Sequence, residues 1–426
     1  MTGPLQRRAI ADGVWFSRIH DPKFYHNSIS VTIITPLAEG KTSAAVLAAY
    51  LLRMGSRRCR DMTELECRLA DLYGAVLDTD ISRHGENQLL TFSIAGADDR
   101  FALEGESISR GCAELLGEIL LEPKVEGDAF PEEAFRLEQQ YLIDTIEAEI
   151  NDKRSYAAQR CTAEMGRGCR FALPRYGTVQ ETLSATPKEA YGRYRELIRT
   201  ARIEIFFSGC GSPDYAEEVF TKLFDGVERA PLCPTPQRLP LRAERVTELA
   251  EQLPMSQSKL VLGFRTGLPR QRRGRTALRV MTALLGGSTG SRLFTNVRER
   301  LGCCYYCGAR VNLLTGILLI ECGLEEANRE RLQNIRSLPS WPRYPTWPPG
   351  ISPRRSFLTS SWRSKARFAP LGIAWPAPRA GISAGFCRGI PSRRSRIWRR
   401  SPPSPRKRWR PPRQCLHWIL CSFCRP

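Results

Sequence analysis

The chain has 426 residues, of which 42% are hydrophobic, and this excludes a chain that is disordered throughout and a peptide-sized scaffold. Its formal net charge of +20 would by itself suggest a nucleic acid or an anionic membrane as partner. However, residues 336–426 contain 18 Arg, 2 Lys and no Asp or Glu, so residues 1–335 are electrically neutral. The excess positive charge therefore lies in the C-terminal tail, residues 336–426, and not in the body of the protein, residues 1–335.

The first residues lack the apolar run of a signal peptide, and no stretch reaches the roughly 18 apolar residues of a membrane helix. We therefore expect a cytoplasmic protein that does not bind membranes. Its 15 cysteines are scattered along the chain, which in that compartment indicates reduced thiols.

The body alternates short strands with amphipathic helices. Periodicity predicts strands at 13–20, 29–36, 76–83, 88–95 and 203–209, and helices at 42–54, 107–121, 131–150 and 187–198, with a further helix opened by Asp61. Asp61 with Glu64, and Thr186 with Glu189, have the spacing of capping boxes. Because strands and helices are interspersed without a strict βαβ rhythm, the fold class is predicted to be α+β.

The pattern then restarts after a Pro- and Arg-rich linker at 226–256. Strands are predicted at 258–266, 304–311 and 316–323, and helices at 274–285 and 290–300. The chain is thus divided into a first half (1–225), the linker, an incomplete second half (257–335) and the tail (336–426).

The tail holds 16 of the 30 prolines and 7 of the 8 tryptophans and shows no periodicity. One interpretation is a basic, aromatic nucleic-acid-binding appendage. The favoured interpretation is a frameshift product without ordered structure, because GC-rich coding DNA read out of phase gives this composition. Codons can be chosen for 393–412 such that a shift of two nucleotides gives an acidic, alanine-rich helical pattern. The native frame is then expected to end near Asn334.

The second half contains the stretch GGSTGSRLFTNVRE at 286–299, followed by Tyr305 and Tyr306. Together with QSKLVLGF before it, and with LLRMGSRR and the Arg175-Tyr176-Gly177 segment earlier, it resembles the M16 (insulinase-like) zinc peptidase family. The stretch INDKRSYAAQRC at 150–161 resembles, more narrowly, the bacterial M16-like proteins associated with 5-aminopentanol modification of elongation factor P. The resemblance implies duplicated halves, each an antiparallel sheet packed with helices, here with the second half truncated.

Active members of that family carry HxxEH on the first helix, since two histidines at i and i+4 hold zinc while the glutamate activates water. The three positions correspond here to Val46, Ala49 and Tyr50. On the later helix Glu138 is kept, but Thr145 takes the place of the third ligand. The histidines, none of which form an i, i+4 pair, are His20, His26, His84 and His417. The sequence therefore predicts no catalytic residues, no zinc or other cofactor, and a peptidase-like chain that is not an enzyme.

Two residues of the family pattern remain in the second half. The resemblance implies that Arg298 and Tyr305 contact the backbone of a peptide substrate. The alternative is that Arg298 only pairs with a nearby carboxylate.

Two other motifs have the spacing of known binding sites. Gly286 to Gly290 lacks the lysine of a phosphate-binding loop and is interpreted as a turn between helices. The pairs Cys304-x-x-Cys307 and Cys421-x-x-Cys424 have the formal spacing of a zinc ribbon, but their separation disfavours it. Cys303 and Cys304 are instead expected to fill a strand-side core.

The leading functional hypothesis is a non-catalytic M16-like subunit that forms a hetero-oligomer with an active HxxEH homologue and helps it to bind a peptide or protein substrate. The resemblance adds a link to elongation factor P modification. Two alternatives are a metallopeptidase with an unrecognised site, suggested by Arg298 and Tyr305, and nucleic-acid binding through the tail.

Overall fold

The computed structural model describes residues 5–233, 239–242, 246–267, 274–325 and 417–425, the last of these by its backbone. The chain forms two compact units. The first comprises Met1–Ala148 with Cys169–Gln237, and the second comprises Glu149–Gly168 with Arg238–Pro426.

The described strands, in chain order, are β1 (Gln6–Ala11), β2 (Val14–His20), β3 (His26–Pro36), β4 (Val76–His84), β5 (Asn87–Ala97), β6 (Arg202–Gly209), β7 (Ala250–Gln252), β8 (Ser258–Arg265), β9 (Tyr306–Asn312), β10 (Ile317–Leu324) and β11 (His417–Arg425). The described α-helices are α1 (Thr42–Leu52), α2 (Met62–Asp71), α3 (Ile108–Leu121), α4 (Glu132–Ala148), α5 (Lys153–Met165), α6 (Val179–Ser184), α7 (Pro187–Thr200), α8 (Asp214–Asp225) and α9 (Arg275–Gly286). A π-helical segment follows α9 at Phe294–Arg300.

The first unit is built on a six-stranded sheet with the order β1-β2-β6-β3-β5-β4. The β2–β6 pair is parallel and the other neighbours are antiparallel. Helices α1 and α3 pack with α7 and α8, respectively, and contact the sheet. The largest fully buried side chains of this core include Phe16, Ile33, Leu47, Phe92 and Phe207.

Helix α1 lies at the centre of this unit. Its sequence, TSAAVLAAYLL, is apolar around its whole circumference, and all its residues except Ala44 are buried. A helix of this composition has no polar face to expose, so it belongs inside a core. This placement determines what can surround the residues at 46, 49 and 50.

The second unit has a five-stranded sheet with the order β7-β11-β8-β10-β9. Helix α5 packs on β8 and β11, and α9 packs on β9. Its core includes Leu260, Leu262, Phe264, Leu318 and Ile320.

The predicted α+β class is confirmed. All the strands and helices predicted in the first half are present, and the box at Thr186 and Glu189 has both of its hydrogen bonds. Four elements of this first half were not predicted: β1, α5, α6 and α8. Within the predicted helix at 290–300, the structure has the π-helical segment.

The tail differs from the expectation in one stretch. Residues 417–425 form β11, which pairs antiparallel with β8 and parallel with β7, so the predicted lack of ordered structure is corrected for these nine residues. Their sequence, HWILCSFCR, is rich in aromatic and aliphatic residues, which favour a half-buried strand. Residues 336–416 lie outside the described part of the chain.

The sequence-based division at 225, 256 and 335 stays a prediction. The compact units differ from it in one respect, because residues 149–168, including α5, group with the second unit. Among the helices that the structure describes, none has the length and apolar character needed to cross a membrane.

Candidate functional site

The positions of the zinc-binding motif lie on the buried helix α1. Val46 and Ala49 are almost fully buried, and Tyr50 is 5% exposed. Valine and alanine offer no lone pair to a metal. The α1 side of the site is therefore apolar, apart from the Tyr50 phenol.

Helix α4 supplies the opposite side of the site. The carboxylate of Glu138 is only 6% exposed. The Thr145 hydroxyl donates a hydrogen bond to the Tyr141 carbonyl of its own helix at 2.8 Å. Thr145 thus satisfies its hydroxyl locally, which is a common role of threonine in a helix interior.

Arg53, at the C-terminal end of α1, joins the two helices. Its Nη2 donates to Glu138 Oε2 at 3.0 Å and to Oε1 at 3.3 Å. Its guanidinium carbon lies 4.5 Å from the ring centroid of Tyr50 and 5.0 Å from that of Tyr141. The two rings meet edge to face, with centroids 5.4 Å apart. We call Tyr50, Arg53, Glu138 and Tyr141 the Arg53 cluster.

The electrostatics follow from burial. Desolvation raises the pKa of the Glu138 carboxyl, and the nearby Arg53 guanidinium opposes that rise without cancelling it. Burial also raises the pKa of the Tyr50 phenol, so this side chain stays neutral. Among the residues that the structure describes, the Arg53 guanidinium is the positive group that pairs with Glu138, and it lies where aromatic faces also attract a cation.

These residues do not fit a zinc ion. Zinc needs imidazole, thiolate or carboxylate ligands in a tetrahedral set, and the side chains at 46, 49, 50 and 145 offer none of them. The remaining carboxylate, Glu138, is already paired with a cation. Throughout the described ranges, the thiols of the second unit included, no group of three or more His, Cys, Asp and Glu side chains is arranged to hold a metal ion.

The Arg175-Tyr176-Gly177 segment lies against the start of α1. The Ser43 hydroxyl donates to the Tyr176 carbonyl at 3.1 Å, and the Ser43 amide donates to Glu181 Oε1 at 3.0 Å. Gly177 has φ of +82°, and a Cβ there would lie 2.0 Å from Ser43 Oγ. A glycine is required at this point because both the backbone angle and the space exclude a side chain. The Arg175-Tyr176-Gly177 segment therefore holds the N-terminal end of α1 in place.

Sequence reasoning missed Arg53 and Tyr141 as members of the site. Arg53 belongs to the LLRMGSRR stretch and follows position 50 by three residues. Residues three apart on a helix lie on the same face, so Arg53 is expected next to position 50. Tyr141 follows Glu138 by three residues on α4, so the same helical spacing places it next to Glu138. A search for lost ligands alone does not reveal what replaces them.

The second-unit candidates each have their own partner. Arg298 lies over the Phe294 ring at 4.7 Å, and its Nε is 3.9 Å from Glu299 Oε1. The Tyr305 hydroxyl donates to Glu325 Oε1 at 2.6 Å, and Tyr305 is 50% exposed. Both side chains remain open to solvent on one side, and their contact with a substrate stays a prediction.

Of the two cysteine pairs with zinc-ribbon spacing, the structure describes the side chains of the first. The side chains of Cys421 and Cys424 lie outside the described part of the chain. Cys304 and Cys307 instead contact Cys322 of the neighbouring strand. Cys303 and Cys304 are buried in the sheet-side core of the second unit, as expected from their position next to a strand.

In this fold the positions of the zinc-binding motif on α1 hold apolar and neutral side chains. The model of the peptidase M16 inactive domain matches residues 184–337. The curated protein "Probable inactive metalloprotease YmfF" of Bacillus subtilis (strain 168) is 26% identical over 313 residues, which are 74% of this chain and 73% of that protein.

Solved structures show the same fold. A conserved protein from Enterococcus faecalis V583 superposes with a TM-score of 0.77 at 21% identity, over 90% of this chain and 89% of that one. The peptidase M16 inactive domain from Pseudomonas fluorescens gives a TM-score of 0.66 at 15% identity, over 90% and 86%. These findings confirm the predicted resemblance to an inactive M16 peptidase homologue.

Proposed function

We propose that this chain is a non-catalytic M16-like subunit that assembles with an active, HxxEH-bearing homologue and contributes binding surface for a peptide or protein substrate. The observation that carries the proposal is the Arg53 cluster. A guanidinium balances Glu138 at the place where the resemblance implies a metal, so the fold is kept while the catalytic centre is replaced. A chain that keeps the fold without the chemistry is suited to binding.

The second unit supplies the groups for that binding. Arg298 and Tyr305 are each about half exposed, and both can donate hydrogen bonds to peptide carbonyls. We further propose that the partner and substrate belong to the modification of elongation factor P in the bacterial cytoplasm. This finer proposal is supported by the resemblance of the stretch at 150–161, most of which forms α5.

Assembly is tested by co-expressing the tagged full chain with an HxxEH-bearing M16 protein from the same genome. We expect a stable complex in size-exclusion chromatography with light scattering, and peptide hydrolysis that requires the partner's glutamate base. Elution of the two proteins as separate species at micromolar concentration would contradict the proposal.

Substrate contact is tested in that complex with Arg298→Ala and Tyr305→Phe. We expect each to lower kcat/KM by about tenfold, mainly through KM, since lost binding groups remove uniform binding. Arg292→Ala serves as a control from the same segment. An unchanged KM in both variants, with assembly intact, would assign Arg298 and Tyr305 a structural role only.

The isolated chain distinguishes the non-catalytic proposal from a metallopeptidase with another site. We expect far less than one zinc per chain by elemental analysis, and no hydrolysis of unstructured peptides. Peptide cleavage that a chelator abolishes would favour the metallopeptidase instead.

We also propose that residues 336–426 are out of frame. The family match ends at residue 337, close to the point where the helical pattern is lost near Asn334. Resequencing the coding DNA across codons 320–345 should reveal an inserted or deleted base. If the frame is intact, nucleic-acid binding that falls steeply with salt and disappears on deleting 336–426 would support the tail as a binding appendage.

A further inference from the structure

Three cysteines of the second unit lie together in its core. Cys307 on β9 and Cys322 on β10 have their sulfur atoms 2.9 Å apart. Cys304, just before β9, makes side-chain hydrogen bonds with both of them. All three are buried, with exposures of 8% or less. We call them the thiol cluster; neither the peptidase resemblance nor the proposed function gives it a role.

The strand register favours a bond between two of these thiols. Cys307 and Cys322 are directly opposite each other in the antiparallel β9–β10 ladder. Opposite residues in such a ladder have Cα atoms about 4.5–5.5 Å apart. A disulfide requires about 4.4–6.8 Å, so this pair can be bridged without moving the backbone.

Cys304 is the member of the cluster best suited to react first. Hydrogen bonds from Cys307 and Cys322 lower the pKa of the Cys304 thiol, and the positive charge of Arg298 acts in the same direction. The hydrogen bond with Cys304 conversely raises the pKa of Cys307. The Arg298 side chain is itself about half exposed.

We propose that the thiol cluster is a redox modification site in which Cys307 and Cys322 form a reversible cross-strand disulfide by exchange with a low-molecular-weight disulfide. The Cys304 thiolate attacks one sulfur of that disulfide, whose S–S bond breaks and releases one small thiolate. Cys307 loses its proton, which passes through solvent to that small thiolate, and its sulfur displaces the second small thiolate from Cys304. Cys322 then loses its proton to the second small thiolate and attacks the Cys307 sulfur, which breaks the Cys304–Cys307 bond and regenerates the Cys304 thiolate. Overall, two protein thiols are oxidised and one small disulfide is reduced to two thiols.

The experiment uses the reduced full chain incubated with oxidised glutathione, followed by alkylation, trypsin and mass spectrometry. Trypsin cleaves after Arg300 and Arg310, so Cys303, Cys304 and Cys307 fall on one peptide and Cys322 falls on the next. We expect a linked pair of these peptides, with fragmentation assigning the bond to Cys307, and its loss on adding a reducing agent.

Variants separate the roles of the three thiols. Cys322→Ala should abolish the linked pair. Cys304→Ala should slow its formation at least tenfold while leaving the product unchanged. Cys303→Ala is the matched control and should do neither, because Cys303 is equally buried but bonds the Leu301 carbonyl instead.

The proposal is overturned if Cys322 remains fully alkylated in the folded wild-type chain under oxidation, or if the bond maps to Cys303. The wild-type map alone decides this, so the result does not depend on whether a variant folds. It is also independent of the proposed assembly, since the isolated chain is used and no partner is required.

Discussion

The Arg53 cluster of the first unit and the thiol cluster of the second both bury groups that chemistry can use, but they do so differently. The Glu138 carboxyl group is held in the core with a guanidinium fixed against it. The Cys307 and Cys322 thiols are neutral and need no counter-charge. A buried charge requires a fixed partner of opposite charge, whereas buried thiols can either stay reduced or form a disulfide, depending on the redox state.

The largest effect is expected from breaking the charged cluster. Arg53→Leu leaves Glu138 buried without a cation and should lower the free energy of unfolding by about 3 kcal/mol at pH 7. The loss should shrink towards pH 4, where Glu138 is protonated. Urea unfolding followed by circular dichroism measures both values.

Arg58→Leu is the control for that variant. Arg58 also pairs with a glutamate, Glu122 at 3.4 Å, but its side chain is 69% exposed. An exposed pair contributes less than about 1 kcal/mol, so little change is expected. Equal losses in the two variants would contradict the assigned role of burial.

A smaller effect is expected from the aromatic part of the same cluster. Tyr141→Leu removes the edge-to-face contact with Tyr50 and one face of the cation–π arrangement, at a cost of about 1 kcal/mol. Tyr215→Leu is the control, because Arg110 lies 5.8 Å from that ring on an exposed surface. A Tyr141 variant as stable as the control variant would show that Tyr141 does not hold Arg53.

The thiol cluster should respond to pH with the opposite sign from Glu138. The pKa of Cys304 is lower in the folded chain than its usual value of 9.0, so folding releases a proton and stability rises with pH below 9. Cys304→Ala should remove that rise under reducing conditions. Unfolding curves from pH 5 to 9 compare the two chains, and parallel curves would exclude a stabilised thiolate.

The smallest change is expected for Glu138→Gln. Because burial raises the pKa of Glu138 in the folded state, stability falls as pH rises through the window above the usual carboxyl pKa of 4.5. Glutamine resembles the protonated form, so the variant should be within about 1 kcal/mol of the wild type at pH 7 and should lack this fall. A large loss at pH 7 would show that the ion pair is net stabilising.

The sequence predicted those parts of the fold that depend on local pattern. Capping signals and periodicity located α1, α4 and α7, and the motif positions on α1 are buried as an apolar helix requires. It did not predict that Arg53 would turn back between two tyrosines from different helices. Such contacts depend on how α1 and α4 pack, which neither helix encodes alone. The pairing of Cys307 with Cys322 across the β9–β10 ladder could not be predicted either, because the register depends on both strands together.

The strand β11 has a consequence for the order in which the second unit forms. It pairs with β8 across more than 150 residues of sequence, whereas β9 and β10 reach the same sheet from close by. Long-range pairings form slowly because the intervening chain must first be closed into a loop. During that interval one edge of β8 has unpaired backbone groups, which can recruit a strand from another molecule. The yield of folded protein should therefore depend on chain concentration through this edge of the sheet.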